Sequence, residues 1–269
     1  MIYVSNLAAG LEKGLDHPSF LLEAAAPFGG EVGIELFLHY HDEAYRRRAQ
    51  NAAEWLGGLP RTAHGPFLQV EATAEQGSAE QAYLFEAYAW AFETAQRLEC
   101  RDMVFHTHQR VVWAQEKERA QHNCMRNLEA LLAMGEKHGV RLLIENLGIQ
   151  RQGISLFDEE DFCRLAEAFP QAGCLIDTGH LNVAGWNVER VLERLSGRIC
   201  GYHLHNNDGV ADSHRPIDEG TFDYAAFYKL YRRFTPKASL TLEYADGGDV
   251  TPPRLSGDVQ KVIDGVSGL

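Results

Sequence analysis

Arg141-Leu142-Leu143-Ile144-Glu145-Asn146 is a nearly continuous apolar run that ends on a carboxylate and an amide. A strand exposed on one face alternates apolar and polar side chains, so an unbroken apolar run reads as a parallel strand covered on both faces. Val32-Gly33-Ile34-Glu35-Leu36-Phe37 and Cys174-Leu175-Ile176-Asp177 repeat the pattern. Working outward from these, strands are expected at residues 2–6, 32–37, 62–67, 102–108, 141–146, 173–177, 199–205 and 239–244. Helical stretches separate them, clearest at 78–98 and 115–138, where apolar residues recur every three or four positions. Shorter helices are expected at 18–26, 43–56, 159–168, 188–195, 224–234 and 257–263.

Strand and helix alternating eight times in 269 residues predicts an α/β fold, a (β/α)₈ TIM barrel, rather than an open doubly wound sheet. No proline- or glycine-rich linker divides the chain, so residues 1–269 are expected to form one domain. The composition, 45% hydrophobic and 23% charged, is that of a globular protein rather than a disordered one. A net charge of −13 opposes nonspecific attraction to phosphate backbones and anionic membranes, and makes a nucleic-acid partner unlike this chain. The one concentrated basic run, Tyr45-Arg46-Arg47-Arg48, reads as a solvated helix face. Five cysteines without close pairing predict reduced thiols and, with no signal-like or membrane-spanning segment, a cytoplasmic protein.

A barrel places its chemistry at the C-terminal ends of its strands. There the sequence carries Glu35, His64, His106 with His108, Glu145, Asp177 followed by His180, His205 and Glu243. Gathering so many ionisable groups at one mouth is costly unless they are paired or bind a cation. Glu145, Asp177, His205 and Glu243 offer three carboxylates and an imidazole, a set suited to Mn²⁺, Mg²⁺ or Co²⁺, with Zn²⁺ also compatible. The stretch 201–220, G-Y-H-L-H-N-N-D-G-V-A-D-S-H-R-P-I-D-E-G, adds Asp212 and His214. In its opening strand His203 and His205 share one face, and His203 is expected to pack in the barrel as a core histidine.

These residues resemble the xylose-isomerase-like TIM barrels, which include sugar and sugar-phosphate isomerases and epimerases and also endonuclease IV. The resemblance rests on H-G-P-F at 64–67, F-H-T-H at 105–108, L-I-E-N at 143–146, I-D-T-G-H at 176–180, H-L-H-N-N-D-G at 203–209, D-S-H-R-P-I-D-E-G at 212–220 and L-E-Y at 242–244. For a ketose epimerase it implies one divalent metal held by Glu145, Asp177, His205 and Glu243, acting on a small sugar or sugar phosphate through an enediolate. Glu145 and Glu243 would exchange the substrate proton, His180 would bind substrate oxygen, and Glu35, His64 and His106 would line the pocket.

For endonuclease IV the resemblance implies three zinc ions on His64, His106, Glu145, Asp177, His180, His205, Asp212, His214 and Glu243, with Phe67-Leu68 where residues wedge into DNA. DNA binding needs clustered lysine and arginine, whereas Q-V-E-A-T-A-E-Q-G at 69–77 and A-D-G-G-D-V at 245–250 are acidic or neutral. The sugar reading therefore stands first, and a non-catalytic metal- or sugar-binding barrel third. Phe37, Trp113 and Trp186 offer apolar faces for a sugar, and Arg110 and Arg151 offer cations for a phosphate or carboxylate. Arg215 stands beyond the position where ketose epimerases commonly place a substrate-binding arginine. A homo-oligomer is compatible with the pattern, but no interface is readable.

Overall fold

The structure, a computed structural model, describes residues 1–10, 14–148, 153–245 and 250–268. Eight parallel strands close into a barrel, each paired with its sequence neighbour and β1 with β8. They are β1 Ile2–Ser5, β2 Val32–Phe37, β3 Arg61–His64, β4 Asp102–His106, β5 Arg141–Glu145, β6 Gly173–Asp177, β7 Ile199–Leu204 and β8 Ser239–Leu242. Most stop one to three residues short of the expected ends, because at the rim the ladder gives way to loops. His205 and Glu243 therefore stand just beyond their strands. The β2 and β6 side chains are all buried, as their apolar runs require.

The helices are α1 Pro18–Ala25, α2 Glu43–Gln50, α3 Ala53–Leu56, α4 Ala79–Arg97, α5 Lys117–His138, α6 Glu159–Ala168, α7 Thr178–Ala184, α8 Val188–Arg194, α9 Tyr224–Phe234 and α10 Pro252–Ser267. The helix expected at 43–56 is broken at Asn51, a residue whose side chain competes with helical hydrogen bonding. Helix α10 begins earlier than expected, because Thr251 caps it and Pro252 suits its first turn. Helix α7 was not expected at all. Asp177, the last residue of β6, is its N-cap and accepts a hydrogen bond from the His180 amide at 2.7 Å.

The main core lies between barrel and helices, where Leu36, Phe92, Phe105 and Leu128 are buried. The basic run on α2 is a surface face: Arg47 pairs with Glu43, Arg48 with Asp16 at 2.9 Å, and Arg46 stacks on Tyr40. All five cysteines are free thiols. Among the described residues no helix is long and apolar enough to cross a membrane.

Candidate metal centre

Inside the barrel Val104, Leu143 and Leu175 form a small apolar layer. Two residues further along the same inward faces come His106, Glu145 and Asp177. Lateral pairing extends this polar layer, since His106 is level with Glu145 and Asp177 is level with His203. His203 is in turn level with Thr241, and two residues on from Thr241 is Glu243. The β6–β7 register shifts at Cys174/Leu175, where β7 carries Cys200 as an extra residue. Hence His203 meets Asp177, and His205 stands one inward position higher.

The distances follow from that register. His203 Nδ1 lies 3.2 Å from Glu145 Oε1, 3.3 Å from Glu243 Oε2 and 3.8 Å from Asp177 Oδ2. These four residues offer ligand atoms all within 4.8 Å of one another. The structure groups Glu145, Asp177 and Glu243 with His203, and it also brings the expected ligand His205 to Asp177, with Nε2 2.9 Å from Oδ2. His203 is a buried histidine, as expected, but it packs among carboxylates rather than apolar side chains.

Two further groups meet the same distance limit among the described residues. In one, His64 and His106 join Glu145, with His106 Nε2 at 2.8 Å from Glu145 Oε2 and 3.1 Å from His64 Nε2. In the other, His205 joins His180, Asp212 and His214, with Asp212 Oδ2 3.1 Å from His180 Nε2 and 3.3 Å from His214 Nε2. His205 Nε2 also lies 2.9 Å from Asp177 Oδ2, which links this group to the first.

Loop chemistry brings Asp212 and His214 back over the barrel. Asn206 and Arg215 pair antiparallel, and the Asn206 amide donates to the Ile217 carbonyl while its oxygen accepts from the Asn207 and Phe222 amides. His214 then turns inward with φ of 43°, a left-handed conformation uncommon for a side-chain-bearing residue. Its Nδ1 is 2.9 Å from the Glu243 carbonyl. Gly179 must be glycine, because a Cβ there would lie 1.9 Å from the His205 ring. Asn146 ties β5 to β6 by accepting from the Asp177 amide at 2.8 Å and donating to the Asp177 carbonyl. Sequence reading missed the roles of Asn146, Gly179 and Asn206, although all three fall inside the quoted motifs.

The electrostatics are those of a crowded anionic cage. Burial pushes the Glu145 carboxyl up, but His106 and His203 outweigh it and hold the group well below the usual range. Burial also pushes Glu243 up, to about 7, with Glu145 and Asp177 adding to the rise against His203 and His214. Burial opposes the charge on His203, yet Glu243, Glu35 and Glu145 raise it well above an ordinary imidazole. His214 is raised to about 9, since Asp212 and Glu243 outweigh its burial. His106 goes the other way, lowered to about 4 by burial despite Glu145.

Above the cage opens a cavity of about 860 Å³. Its floor includes His64, His106, Glu145, His180, His214 and Glu243, and its walls include Leu7, Phe37, Phe67, Leu147, Val183 and Val210. Phe37 stacks on His64 with ring centroids 4.1 Å apart, and Phe67 meets His106 at 5.0 Å. Of the expected apolar faces only Phe37 lines the cavity: Trp113 is solvent-exposed on the β4 loop, and Trp186 packs against Phe162. Glu35 does not line it either, because it lies deeper than Phe37 on β2, beneath His203. Arg110 bonds Thr73 and Glu116 instead of facing the cavity, and Arg151 lies outside the described residues. No lysine or arginine lines the cavity among the described residues.

The donors fit a divalent cation. Three carboxylates converge on one imidazole in a buried space, and Glu145 Oε2 and His205 Nδ1 are buried without an aligned hydrogen-bond partner. Uncompensated anionic and polar atoms of this kind are costly, and a cation removes the cost.

Comparison with known proteins agrees with the architecture. An uncharacterised protein of Methanocaldococcus jannaschii, MJ1614, is 26% identical over 132 residues, 49% of this chain and 51% of that protein, so the chain spans about half the length of this relative. The crystal structure of a D-tagatose 3-epimerase-like protein superposes with a TM-score of 0.79 at 17% identity, covering 99% of this chain and 98% of that one. The IolI protein with a bound zinc atom superposes with a TM-score of 0.75 at 16% identity, again covering 99% and 98%. A family model matches residues 22–264, and on that match the chain belongs to the xylose isomerase-like TIM barrels.

Proposed function

We propose that the protein is a metal-dependent isomerase or epimerase that moves a proton on a small sugar. The observation that carries this reading is the buried set Glu145, Asp177, His203 and Glu243 beneath a cavity of about 860 Å³. Glu145, Asp177, His203 and Glu243 would hold a divalent ion there, and it would supply Lewis acidity toward a substrate carbonyl. Glu145 and Glu243, the two carboxylates of this set that border the cavity, would exchange the substrate proton, one removing it and the other returning one. Phe37 and Phe67 exclude water from one wall, while His180 and His214 present imidazoles to substrate oxygen. The similar folds, which include a D-tagatose 3-epimerase-like protein, support the sugar class.

The test is solvent exchange. Ketoses and ketose phosphates incubated with metal-loaded protein in D₂O should acquire carbon-bound deuterium, and Glu145→Gln or Glu243→Gln should lower the rate about 10²–10⁴-fold. A variant exchanging at the wild-type rate removes that residue from the acid/base role.

A trinuclear phosphodiesterase is the second reading, favoured by the three ligand groups that share or adjoin Glu145 and Asp177. It requires all three groups to be filled and DNA to be engaged, whereas proton transfer requires only the group around His203. The apolar cavity walls and the charge of −13 favour the sugar. Incision of an abasic-site duplex by protein carrying about three zinc ions per chain would reverse the order.

A further inference from the structure

Gln109 follows β4 and reaches back to the site. Its side-chain nitrogen is 2.9 Å from His106 Nδ1, and the residue also lines the cavity. Glu71, on the loop after β3, holds it in place. This carboxylate is 5% exposed: Oε1 accepts from the Thr73 amide and hydroxyl at 2.9 and 2.7 Å, and Oε2 accepts from the Gln109 and Arg110 main-chain amides at 3.0 and 2.8 Å. Charge-assisted bonds of this kind are strong, so the two loops are tied together and the Gln109 backbone is fixed beside His106.

An amide N–H only donates, so His106 Nδ1 accepts and the ring proton sits on Nε2. The other side of the ring agrees. His106 Nε2 is 3.1 Å from His64 Nε2, and His64 Nδ1 is 2.9 Å from the Gly65 carbonyl, which takes the His64 proton. His64 Nε2 is then an acceptor, and His106 Nε2 must be the donor. Glu145 Oε2, 2.8 Å from the same nitrogen, is an acceptor too. Turning the Gln109 amide over would draw the His106 proton to Nδ1 and leave the Nε2 lone pair facing two acceptors, so the surroundings of both ring nitrogens fix the same tautomer.

We propose that Gln109 is the positioning residue of His106: by donating to Nδ1 it keeps the proton on Nε2, and His106 faces Glu145 and the cavity as a hydrogen-bond donor. An N–H held there steadies the Glu145 carboxylate and offers a fixed donor to a substrate oxygen. The role rests on the sugar reading above, in which the ion is held without His106. An ion on His106 Nε2 would displace that proton.

The experiment reads the tautomer and the rate together. Nitrogen-15 spectra of histidine-labelled, Zn²⁺-loaded protein, with the His106 signals identified by their absence in His106→Asn, should show the wild-type proton on Nε2. Gln109→Glu, whose carboxylate only accepts, should move it to Nδ1. Solvent exchange into the ketose that wild type exchanges fastest should fall about 10–100-fold in Gln109→Glu, where a lone pair replaces the donor facing Glu145, and about 2–10-fold in Gln109→Met, which removes the amide without adding charge. Circular dichroism checks that both variants are folded. A wild-type proton on Nδ1, an Nε2 taken by an ion, an unmoved proton in Gln109→Glu, or wild-type exchange in both variants overturns the assignment. A wild type that has the expected tautomer but exchanges no ketose overturns the sugar reading instead.

Discussion

His203 and His205 share one inward face but fall in different groups of potential ligands, and two substitutions separate them. His203→Gln should abolish binding at the group shared by Glu145, Asp177 and Glu243, while His205→Gln should spare that group and weaken the one built on His180, Asp212 and His214. Counting bound metal per chain checks this, and equal losses would contradict it. The cage also predicts the direction of a pH effect. At neutral pH, without metal, His203 and His214 hold protons above their ordinary pKa values and Glu243 titrates at about 7. An ion can bind only as these protons leave, so metal affinity should rise with pH and binding near pH 7 should release protons. Calorimetry in buffers of different ionisation enthalpy measures the release, and pH-independent affinity would count against the cage.

At the level of elements, strand order and helix spacing were legible in the sequence because parallel strands leave unbroken apolar runs. Two features were not. Helix α7 hides behind Asp177, whose identity as a strand-end carboxylate masks its second role as an N-cap. The level of His203 depends on one extra residue at Cys200, and single-sequence patterning does not record a register shift between strands. The nine expected site residues above Glu35 do gather at one mouth, but their partition into groups is a matter of register and loop geometry. The loop bearing Asp212 and His214 is anchored by Tyr244, whose hydroxyl accepts from the Ile217 amide and donates to buried Asp258. Tyr244→Phe leaves both without that partner and should cost about 1–3 kcal/mol of stability, seen as a lower melting temperature. An unchanged melt would mean that the loop is held elsewhere.

For the whole molecule, the barrel divides its interior along its axis into an apolar layer, a carboxylate–imidazole layer and an open cavity with aromatic walls. The apolar layer and the helix-facing core stabilise the fold, and this lets the layer above carry a crowd of carboxylates that the neighbouring imidazoles relieve when protonated. Proton transfer on a sugar uses that arrangement most directly, because it needs a polarising ion and two carboxylates of different proton affinity in one dry space. The most direct measurement is metal-dependent exchange of carbon-bound hydrogen in ketoses and their phosphates, in D₂O, by wild type, Glu145→Gln and Glu243→Gln. The account predicts exchange by the metal-loaded wild type, restored by added divalent ion after chelation, and its loss in both variants. Metal-loaded protein that exchanges no sugar hydrogen while incising abasic DNA would contradict it.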